Sequence, residues 1–246
     1  MGLPTKATKN SAESMSADRL RAVIYGRPGA GKTTLAAGWY PATNLIIDLE
    51  GGTRMLPGEH FVMRPKTYSE FMAIVNDLVT GAHDFTTVTV DTVDNLVRMA
   101  DSEAGQRGGK VAAGLVDYGK GLADRDATVL RDIRRLLSTD LGVLLVAHPT
   151  TVTEEKDGKS TERLYPRIDP NDRIRQELLG LVDFVLHVRK DDHVIQTGGD
   201  PSVETKRRVD LPDEVPADAR ELAVAVSKGI AGLDATPKKA AAKAAA

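Results

Sequence analysis

Cysteine is absent from the 246-residue chain, and the sequence also has few aromatic residues and almost no net charge. Without cysteine, disulfide scaffolds, thiolate zinc sites and cysteine nucleophiles are excluded. The formal charge is only −2, from 33 Lys and Arg against 35 Asp and Glu. This balance argues against a protein whose whole surface is basic and binds duplex DNA, so we expect any nucleic-acid site to be local. The five histidines are not paired at metal-ligand spacing, which argues against a histidine metal centre.

Long hydrophobic runs are missing as well. No stretch approaches the roughly 18 apolar residues that a membrane span needs. The amino terminus is polar and lacks the apolar core of a signal peptide. It begins Met1-Gly2, but Lys6 stands where a myristoylation signal has Ser or Thr. We therefore expect a soluble cytoplasmic protein without a membrane partner.

The two ends of the chain differ in composition from its middle. Residues 1–18 are polar without a hydrophobic period, which predicts a flexible leader. Residues 229–246 run into a low-complexity tail rich in Lys and Ala. Residues 19–228 alternate short apolar runs with helical patterns, which is typical of stacked βαβ units. We predict one α/β domain, with a mostly parallel sheet flanked by helices and a C-terminal antiparallel extension.

The predicted elements follow this alternation. Strands are predicted at residues 22–25, 44–49, 87–90, 142–147, 182–189, 193–197 and 204–209. Helices are predicted at residues 32–39, 68–79, 93–104, 122–137 and about 217–227.

A complete phosphate-binding motif follows the first predicted strand and matches GxxxxGK[ST]. Glycines let backbone N–H groups close around phosphates, and the helix that follows points the positive end of its dipole at them. Lys32 is expected at the β- and γ-phosphates, and Thr33 on Mg²⁺. The alternative is a glycine-rich turn with an exposed lysine. The residues predicted to bind nucleotide are Gly26, Arg27, Pro28, Gly29, Ala30, Gly31, Lys32, Thr33 and Thr34.

Carboxylates that can complete such a site follow two other predicted strands. Asp91 ends the strand 87–90 and is predicted to support Mg²⁺, although the position also suits a helix N-cap. The next residue is Thr92, so the glutamate that many P-loop ATPases place there is missing. Glu50 lies just past another strand, in the crevice that parallel strands share, and is predicted to be the base. A solvated loop carboxylate is the alternative for Glu50, and Asp48 is a backup base or a structural partner.

His148 follows the predicted strand 142–147. We predict that it hydrogen-bonds the γ-phosphate and reports its presence to the segment that follows. The alternative is an ordinary polar histidine at a strand end.

Four stretches together resemble a known family. GRPGAGKTT, LIIDLEGG, TVTVDTVDNL and VLLVAHPT are similar in order and spacing to the RecA-like ATPases. More closely, they resemble the phage AAA-family nucleotide-binding proteins, which are single-strand annealing and recombination factors. The resemblance covers residues 20–228 and implies ATP and Mg²⁺ as cofactors, Glu50 as the catalytic glutamate and Asp91 as the Walker-B aspartate. It places the γ-phosphate sensor at His148, where the family usually has glutamine.

The same resemblance implies residues that act across a subunit interface. Residues 204–212 look like the KxR stretch that oligomeric relatives insert into a neighbour's ATP site. By that match, Lys206 and Arg208 stabilise γ-phosphate charge in trans. The alternative is a basic strand edge that discourages aggregation.

RecA-like relatives also bind single-stranded DNA with two mobile loops, which correspond here to residues 105–110 and 149–175. The first is glycine-rich and carries two cations, which suits a phosphate backbone. In the second, six basic residues are balanced by six acidic ones, so charge alone does not establish DNA binding. Tyr118 and Tyr165 are candidates to stack on bases, with simple packing as the alternative.

Three classes of function follow. The leading one is a slow, DNA- or oligomer-stimulated ATPase of recombination or annealing, which binds single-stranded DNA as a ring or filament beside a single-strand-binding protein. The second is a small-molecule or nucleotide kinase, which needs an acceptor pocket. The third is a nucleotide-gated scaffold or helicase-loader-like protein. The sequence has no NKxD-type guanine motif, so we expect ATP; a phage-encoded protein would work in the cytoplasm of its bacterial host.

Overall fold

The strands form one large sheet and one separate hairpin in the computed structural model, which describes residues 16–81, 83–107, 118–156, 159–168 and 172–235. The strands are β1 (Arg21–Tyr25), β2 (Asn44–Asp48), β3 (Phe61–Met63), β4 (Thr87–Asp91), β5 (Gly142–Ala147), β6 (Pro149–Lys156), β7 (Lys159–Pro166), β8 (Phe184–Val188), β9 (Val194–Gln196) and β10 (Glu214–Pro216). The large sheet has the order β10-β9-β8-β1-β5-β4-β2-β3, and β6 pairs with β7 in the hairpin.

Helices cover both faces of this sheet. They are α1 (Lys32–Gly38), α2 (Tyr68–Thr80), α3 (Val93–Arg107), α4 (Tyr118–Leu137), α5 (Asp172–Leu181) and α6 (Ala219–Ala235), with short 3-10 turns at Ala17–Arg19 and Gly52–Met55. Within the described ranges, none of the helices combines the length and the apolar character that crossing a bilayer requires.

The alternation of side chains along β1 divides the core into two layers. Val23 and Tyr25 join a cluster with residues of α2 to α5, whereas Ala22 and Ile24 face α1 and α6 on the other side. Because both faces are covered, the central strands are buried, apart from the half-buried Arg21 at the start of β1, and read as short apolar runs. This explains why short apolar runs, rather than alternating patterns, predicted the strands.

Parallel pairing brings the functional strand ends together. β1 pairs in parallel with β5 and with β8, β5 with β4, and β4 with β2. The register places Asp48 beside Asp91 and Tyr25 beside Ala147. The loops that follow these strands therefore emerge at one edge of the sheet, which we call the carboxyl edge.

The mostly parallel α/β fold and its antiparallel C-terminal part are confirmed, with β9 antiparallel to both β8 and β10. The predicted strand 204–209 is wrong, because Lys206 makes only an isolated bridge to Val185 and the strand that pairs with β9 lies at Glu214–Pro216. Arg207 turns the chain into a loop there, since its guanidinium binds the Leu211 carbonyl and the Asp213 carboxylate.

Three further segments differ from the predicted boundaries. The described part of the predicted mobile loop 149–175 is the β6–β7 hairpin, followed by the start of α5. Its strands pair from Pro149 opposite Pro166 to Lys156 opposite Lys159. In the other predicted loop, residues 105–107 end α3 and residues 108–110 lie outside the described residues. α6 extends to Ala235, eight residues past its predicted end at 227 and into the predicted tail.

One close approach ties the 3-10 turn at Ala17–Arg19 to the sheet. A Cβ added to Gly142 would lie 2.1 Å from the Asp18 carbonyl oxygen, whereas a Cβ on Gly180 of α5 meets nothing within 4 Å. We predict that Gly142→Ala lowers the free energy of unfolding by about 2 kcal/mol or more, because backbone must move. The matched control Gly180→Ala should be neutral or stabilise by up to about 1 kcal/mol.

Urea unfolding followed by the fluorescence of Trp39, the single and fully buried tryptophan, measures both variants. Equal unfolding midpoints for the two variants would contradict this description of the turn.

Candidate functional site

The P-loop, residues 26–33, turns sharply between β1 and α1. Gly31 is the N-cap of α1 and has a φ of 90°, a left-handed backbone conformation that residues other than glycine rarely adopt. Lys32 begins the helix, is buried, and folds back so that its Nζ donates to the Arg27 carbonyl at 3.2 Å. The ammonium therefore lies across the inside of the P-loop, where the motif predicts that phosphates bind.

The environment of Lys32 is acidic. Burial lowers the pKa of its ammonium, and the charges of Asp91, Glu50 and Asp94 oppose that shift. Three carboxylates, two of them only three residues apart in the chain, thus lie near one buried lysine. The prediction that Glu50 and Asp91 share the crevice with the P-loop agrees with this arrangement.

Thr33 and Asp91 are in direct contact at the centre of the site. The Thr33 hydroxyl donates to Asp91 Oδ2 at 2.7 Å, and Asp91 is 1% exposed. Its other oxygen, Oδ1, is buried without a hydrogen-bond partner among the described residues. A hydroxyl beside a carboxylate with a free buried oxygen fits a hard cation such as Mg²⁺. These two residues are the ones that would hold it.

The charge state of Asp91 reflects the same burial. Loss of solvent raises its pKa from 3.8 to about 6, the hydrogen bond from Thr33 lowers it, and the charges of Glu50 and Asp48 raise it further, against Lys32. The ionised form of Asp91 therefore destabilises the folded protein unless a cation binds beside it.

Asp48 organises the loop that carries Glu50. Its Oδ1 accepts from the backbone N–H groups of Gly51 at 2.6 Å and Glu50 at 3.2 Å, and its Oδ2 accepts from Thr53. Burial raises the pKa of Asp48, but these hydrogen bonds outweigh it and hold the pKa below its usual range. Arg64 adds a contact at 3.4 Å. Asp48 therefore acts as the structural partner that the sequence left as an alternative to a base.

The Glu50 side chain is free to reach the crevice. It is 43% exposed, and its Oε1 lies 3.6 Å from His148 Nε2. Gly52, two residues on, places the same loop beside the metal pair, since a Cβ there would lie 3.5 Å from Thr33 Oγ1. The loop after β2 thus covers the site at which Thr33 and Asp91 meet.

His148 links Glu50 to a second buried carboxylate. Its Nδ1 lies 2.9 Å from Asp94 Oδ2, and Asp94 Oδ1 is buried without a partner among the described residues. His148 follows β5, and β5 lies between β1 and β4, which is the position expected of the predicted sensor. The result is a carboxylate–imidazole–carboxylate chain from Asp94 through His148 to Glu50.

Asp94 is the site residue that the sequence reasoning missed. It lies in the first turn of α3, three residues after Asp91, so it emerges at the carboxyl edge beside the Walker-B position. An acidic residue in the first turn of a helix ordinarily reads as a favourable helix-dipole contact. The available signal was its closeness in sequence to Asp91, which does not by itself indicate the contact with His148.

The β6–β7 hairpin is attached to His148 at both of its ends. Pro149 follows His148 directly, and the backbone N–H of Arg167 donates to the His148 carbonyl at 2.6 Å. Tyr165 of β7 donates from its hydroxyl to Glu154 of β6, and the guanidinium of Arg175, from α5, lies 4.6 Å from its ring centre. The Tyr118 side chain lies outside the described side chains.

Lys206 and Arg208 lie away from the P-loop of their own chain. The Lys206 ammonium donates to the carbonyls of Leu179, Gly180 and Val182, at and just beyond the end of α5. Arg208 pairs at 3.1 Å with Asp183, which precedes β8 and therefore lies at the edge of the sheet opposite the P-loop.

Removing the charge of Asp91 should stabilise the nucleotide-free protein. Because its folded pKa is raised, the protonated carboxyl contributes stability that is fully present below about pH 4 and lost as the pH rises through about 6. We predict that Asp91→Asn is more stable than the parent at pH 7 by up to about 3 kcal/mol, and that it gains no stability from Mg²⁺ with nucleotide.

Thermal unfolding from about pH 4 to pH 7 measures this difference. The stability of the variant relative to the parent should increase across that range. A difference independent of pH would contradict the account of Asp91.

Comparison with known proteins agrees with this geometry. A family model described as an AAA domain matches residues 18–209, more than half of the chain. The match includes the P-loop, Glu50, Asp91 and His148. A comparison with curated proteins returned no match. The chain therefore belongs to the AAA-domain family, whose P-loop fold binds nucleotide.

Proposed function

We propose that this protein binds ATP with Mg²⁺ and hydrolyses it, and that it acts as an oligomer on single-stranded DNA in recombination or strand annealing. The observation that carries the ATPase proposal is the 2.7 Å contact between Thr33 and Asp91, beside the buried Lys32 and within reach of the Glu50 loop. A P-loop, a metal pair and a free carboxylate at one edge of a parallel sheet are the parts that nucleotide hydrolysis requires.

Each residue then has a defined task. Lys32 and the P-loop N–H groups bind the phosphates, while Thr33 and Asp91 would hold the metal. Mg²⁺ supplies charge neutralisation at the β- and γ-phosphate oxygens when it is bound. Glu50, exposed beside them, orients the attacking water and accepts its proton.

The contact with Asp94 sets the orientation of His148. A carboxylate at Nδ1 favours the N–H there, so Nε2 is the atom that faces Glu50 and the crevice. When both ring nitrogens carry a proton, this atom would donate a hydrogen bond to a γ-phosphate oxygen. A γ-phosphate that binds His148 would compete with Glu50 for the imidazole. The resulting shift of His148 would move the hairpin, because Pro149 follows His148 and Arg167 is hydrogen-bonded to it.

Support for a DNA partner comes from that hairpin and from the family resemblance. The hairpin follows β5 at the carboxyl edge and is bonded to His148 at both ends, so a ligand that moves the hairpin also moves His148. This is a direct mechanical route from a bound strand to the hydrolytic base. It favours stimulation of hydrolysis by single-stranded DNA, with a single-strand-binding protein as a further partner.

Support for an oligomer comes from the position of Arg208. Its side chain is 54% exposed and lies at the opposite edge from its own P-loop. Stacking that edge on the carboxyl edge of a neighbour, in a ring or filament, would bring Arg208 to the neighbour's γ-phosphate. Lys206 has a different role from Arg208. Its ammonium donates to three carbonyls at and just beyond the end of α5, and these hydrogen bonds hold the chain around Lys206 against that helix.

A kinase is the second candidate, and one cavity favours it. An open groove of about 640 Å³ adjoins the Glu50 loop at Leu49 and is lined in part by Lys66, Asn95 and Arg98. A groove with two cations beside the hydrolytic edge is where a phosphoryl acceptor would lie. Transfer of the γ-phosphate to a small molecule, without an effect of DNA on turnover, would favour this candidate.

The role of Glu50 as base is tested by Glu50→Gln. Turnover should fall by about 100-fold or more while ATP binding is retained, because the amide cannot take the proton from water. Steady-state phosphate release and binding of a fluorescent ATP analogue measure the two properties. Glu59→Gln, the same change at an exposed residue of the next loop, is the control and should behave as the parent does. Retained activity in Glu50→Gln would place the base elsewhere.

The trans role of Arg208 is tested by subunit mixing. Arg208→Ala should lower turnover by about tenfold or more, and activity should return when it is mixed with Glu50→Gln subunits, whose intact Arg208 can serve the variant's site. Phosphate release over a range of mixing ratios measures this. Activity that only averages the two separate proteins would contradict a trans arginine.

A further inference from the structure

A cation that the site described above does not use approaches the P-loop from the side of β8. The Nζ of Lys190 lies 3.3 Å, and its Cε 3.5 Å, from the position that a Cβ on Gly29 would occupy. Lys190 is exposed, and within the described residues we find no ion pair or hydrogen bond of its ammonium. Its charge therefore lies beside Gly29, in the middle of the phosphate-binding loop.

The turn that carries Lys190 is held in place by its neighbours. The guanidinium of Arg189 binds Asp192 on one side and Glu214 at 2.7 Å on the other. The backbone N–H of Arg189 donates to the Val194 carbonyl at 2.9 Å. Arg189 thus uses its charge to hold the turn, and the charge of Lys190 remains available beside the P-loop.

The P-loop itself abuts the end of β8. A Cβ on Gly26 would lie 2.3 Å from the Val188 carbonyl oxygen, so the two backbones are in contact where the loop begins. β8 also pairs directly with β1, with Tyr25 opposite His187. Packed backbone on both sides fixes the base of Lys190 relative to the P-loop, and only its own side-chain stem remains flexible.

The order of strands gives this cation a distinct position. Asp91 on β4 and Glu50 after β2 reach the crevice from one side of β1, whereas Lys190 reaches it from β8 on the other side. Phosphates seated on the P-loop would therefore have the metal pair and the base on one flank and a lysine on the opposite flank.

We propose that Lys190 binds the phosphate chain of the nucleotide within its own subunit and stabilises the charge that develops during hydrolysis; this rests on the proposed ATPase function. In that step the water oxygen bonds to the γ-phosphorus, the bond to the β–γ bridging oxygen breaks, and the proton of the water passes to Glu50. Lys190 transfers nothing. Its ammonium supplies a positive charge at the leaving oxygen and the γ-phosphate.

This role differs from that of Arg208. A cation supplied in cis acts in every subunit, whether or not a neighbour is present. Lys190 would therefore set the basal turnover of an isolated subunit, and Arg208 would add to it on assembly.

The experiment compares Lys190→Ala, Lys190→Arg and the control Lys228→Ala, a change at an exposed lysine of α6. We expect kcat of Lys190→Ala to fall by about tenfold or more, with the Kd for ADP changed by less than about threefold. Lys190→Arg should recover most of the activity because it restores the charge, and Lys228→Ala should match the parent. Mixing Lys190→Ala with Glu50→Gln subunits should give no rescue, in contrast to Arg208→Ala.

Two results would overturn the proposal: a kcat of Lys190→Ala within about twofold of the parent, or rescue in the mixture. Lys32→Ala separates this failure from a failure of the proposed function. If the parent itself releases no more phosphate than Lys32→Ala, the ATPase proposal fails and the role of Lys190 fails with it. If the parent is active and Lys190→Ala equals it, only the role of Lys190 is lost.

Discussion

The burial of negative charge at the carboxyl edge of the sheet is the constraint on which the site depends. Asp48, Asp91 and Asp94 are all nearly inaccessible to solvent, and Asp91 and Asp94 each leave one oxygen without a partner among the described residues. Such groups are expensive in a folded protein unless a cation or a hydrogen bond compensates them. Asp48 is compensated by the backbone of its own loop, whereas Asp91 has only Thr33 and the nearby Lys32. The fold thus holds a buried, poorly compensated carboxylate at Asp91, and a bound metal ion with nucleotide would compensate its charge.

The strand order explains how distant parts of the chain share this position. β1, β5, β4 and β2 run in parallel and in that spatial order, so the P-loop, His148, Asp91 and Glu50 follow one another along a single edge. The contacts among them are short enough for mutual control: Thr33 with Asp91, Asp94 with His148, and His148 with Glu50. The hairpin after β5 extends this chain of contacts toward a surface that a ligand can reach. Lys190 adds a positive charge beside the P-loop on the other side of β1.

Much of this arrangement can be predicted from the sequence because it depends on local patterns of residues. The P-loop is a contiguous motif, and Asp91 and Glu50 lie at or just past the ends of apolar runs that predict buried strands, so their positions at the carboxyl edge were predictable. Contacts between distant segments were not predictable in the same way. Asp94 belongs to the site because β5 brings His148 beside it. Lys190 lies beside the P-loop because β8 pairs with β1. The strand predicted at 204–209 is wrong because Lys206 makes only an isolated bridge to Val185, and the Arg207 side chain donates to the Leu211 carbonyl in the loop that follows.

ATP hydrolysis at increasing protein concentration, with and without single-stranded DNA, tests the central claim most directly. The account predicts phosphate release that Lys32→Ala abolishes, that single-stranded DNA stimulates, and that rises more steeply than linearly with protein concentration as subunits assemble. Hydrolysis that is indifferent to both DNA and concentration would contradict the claim of an oligomeric, DNA-directed ATPase.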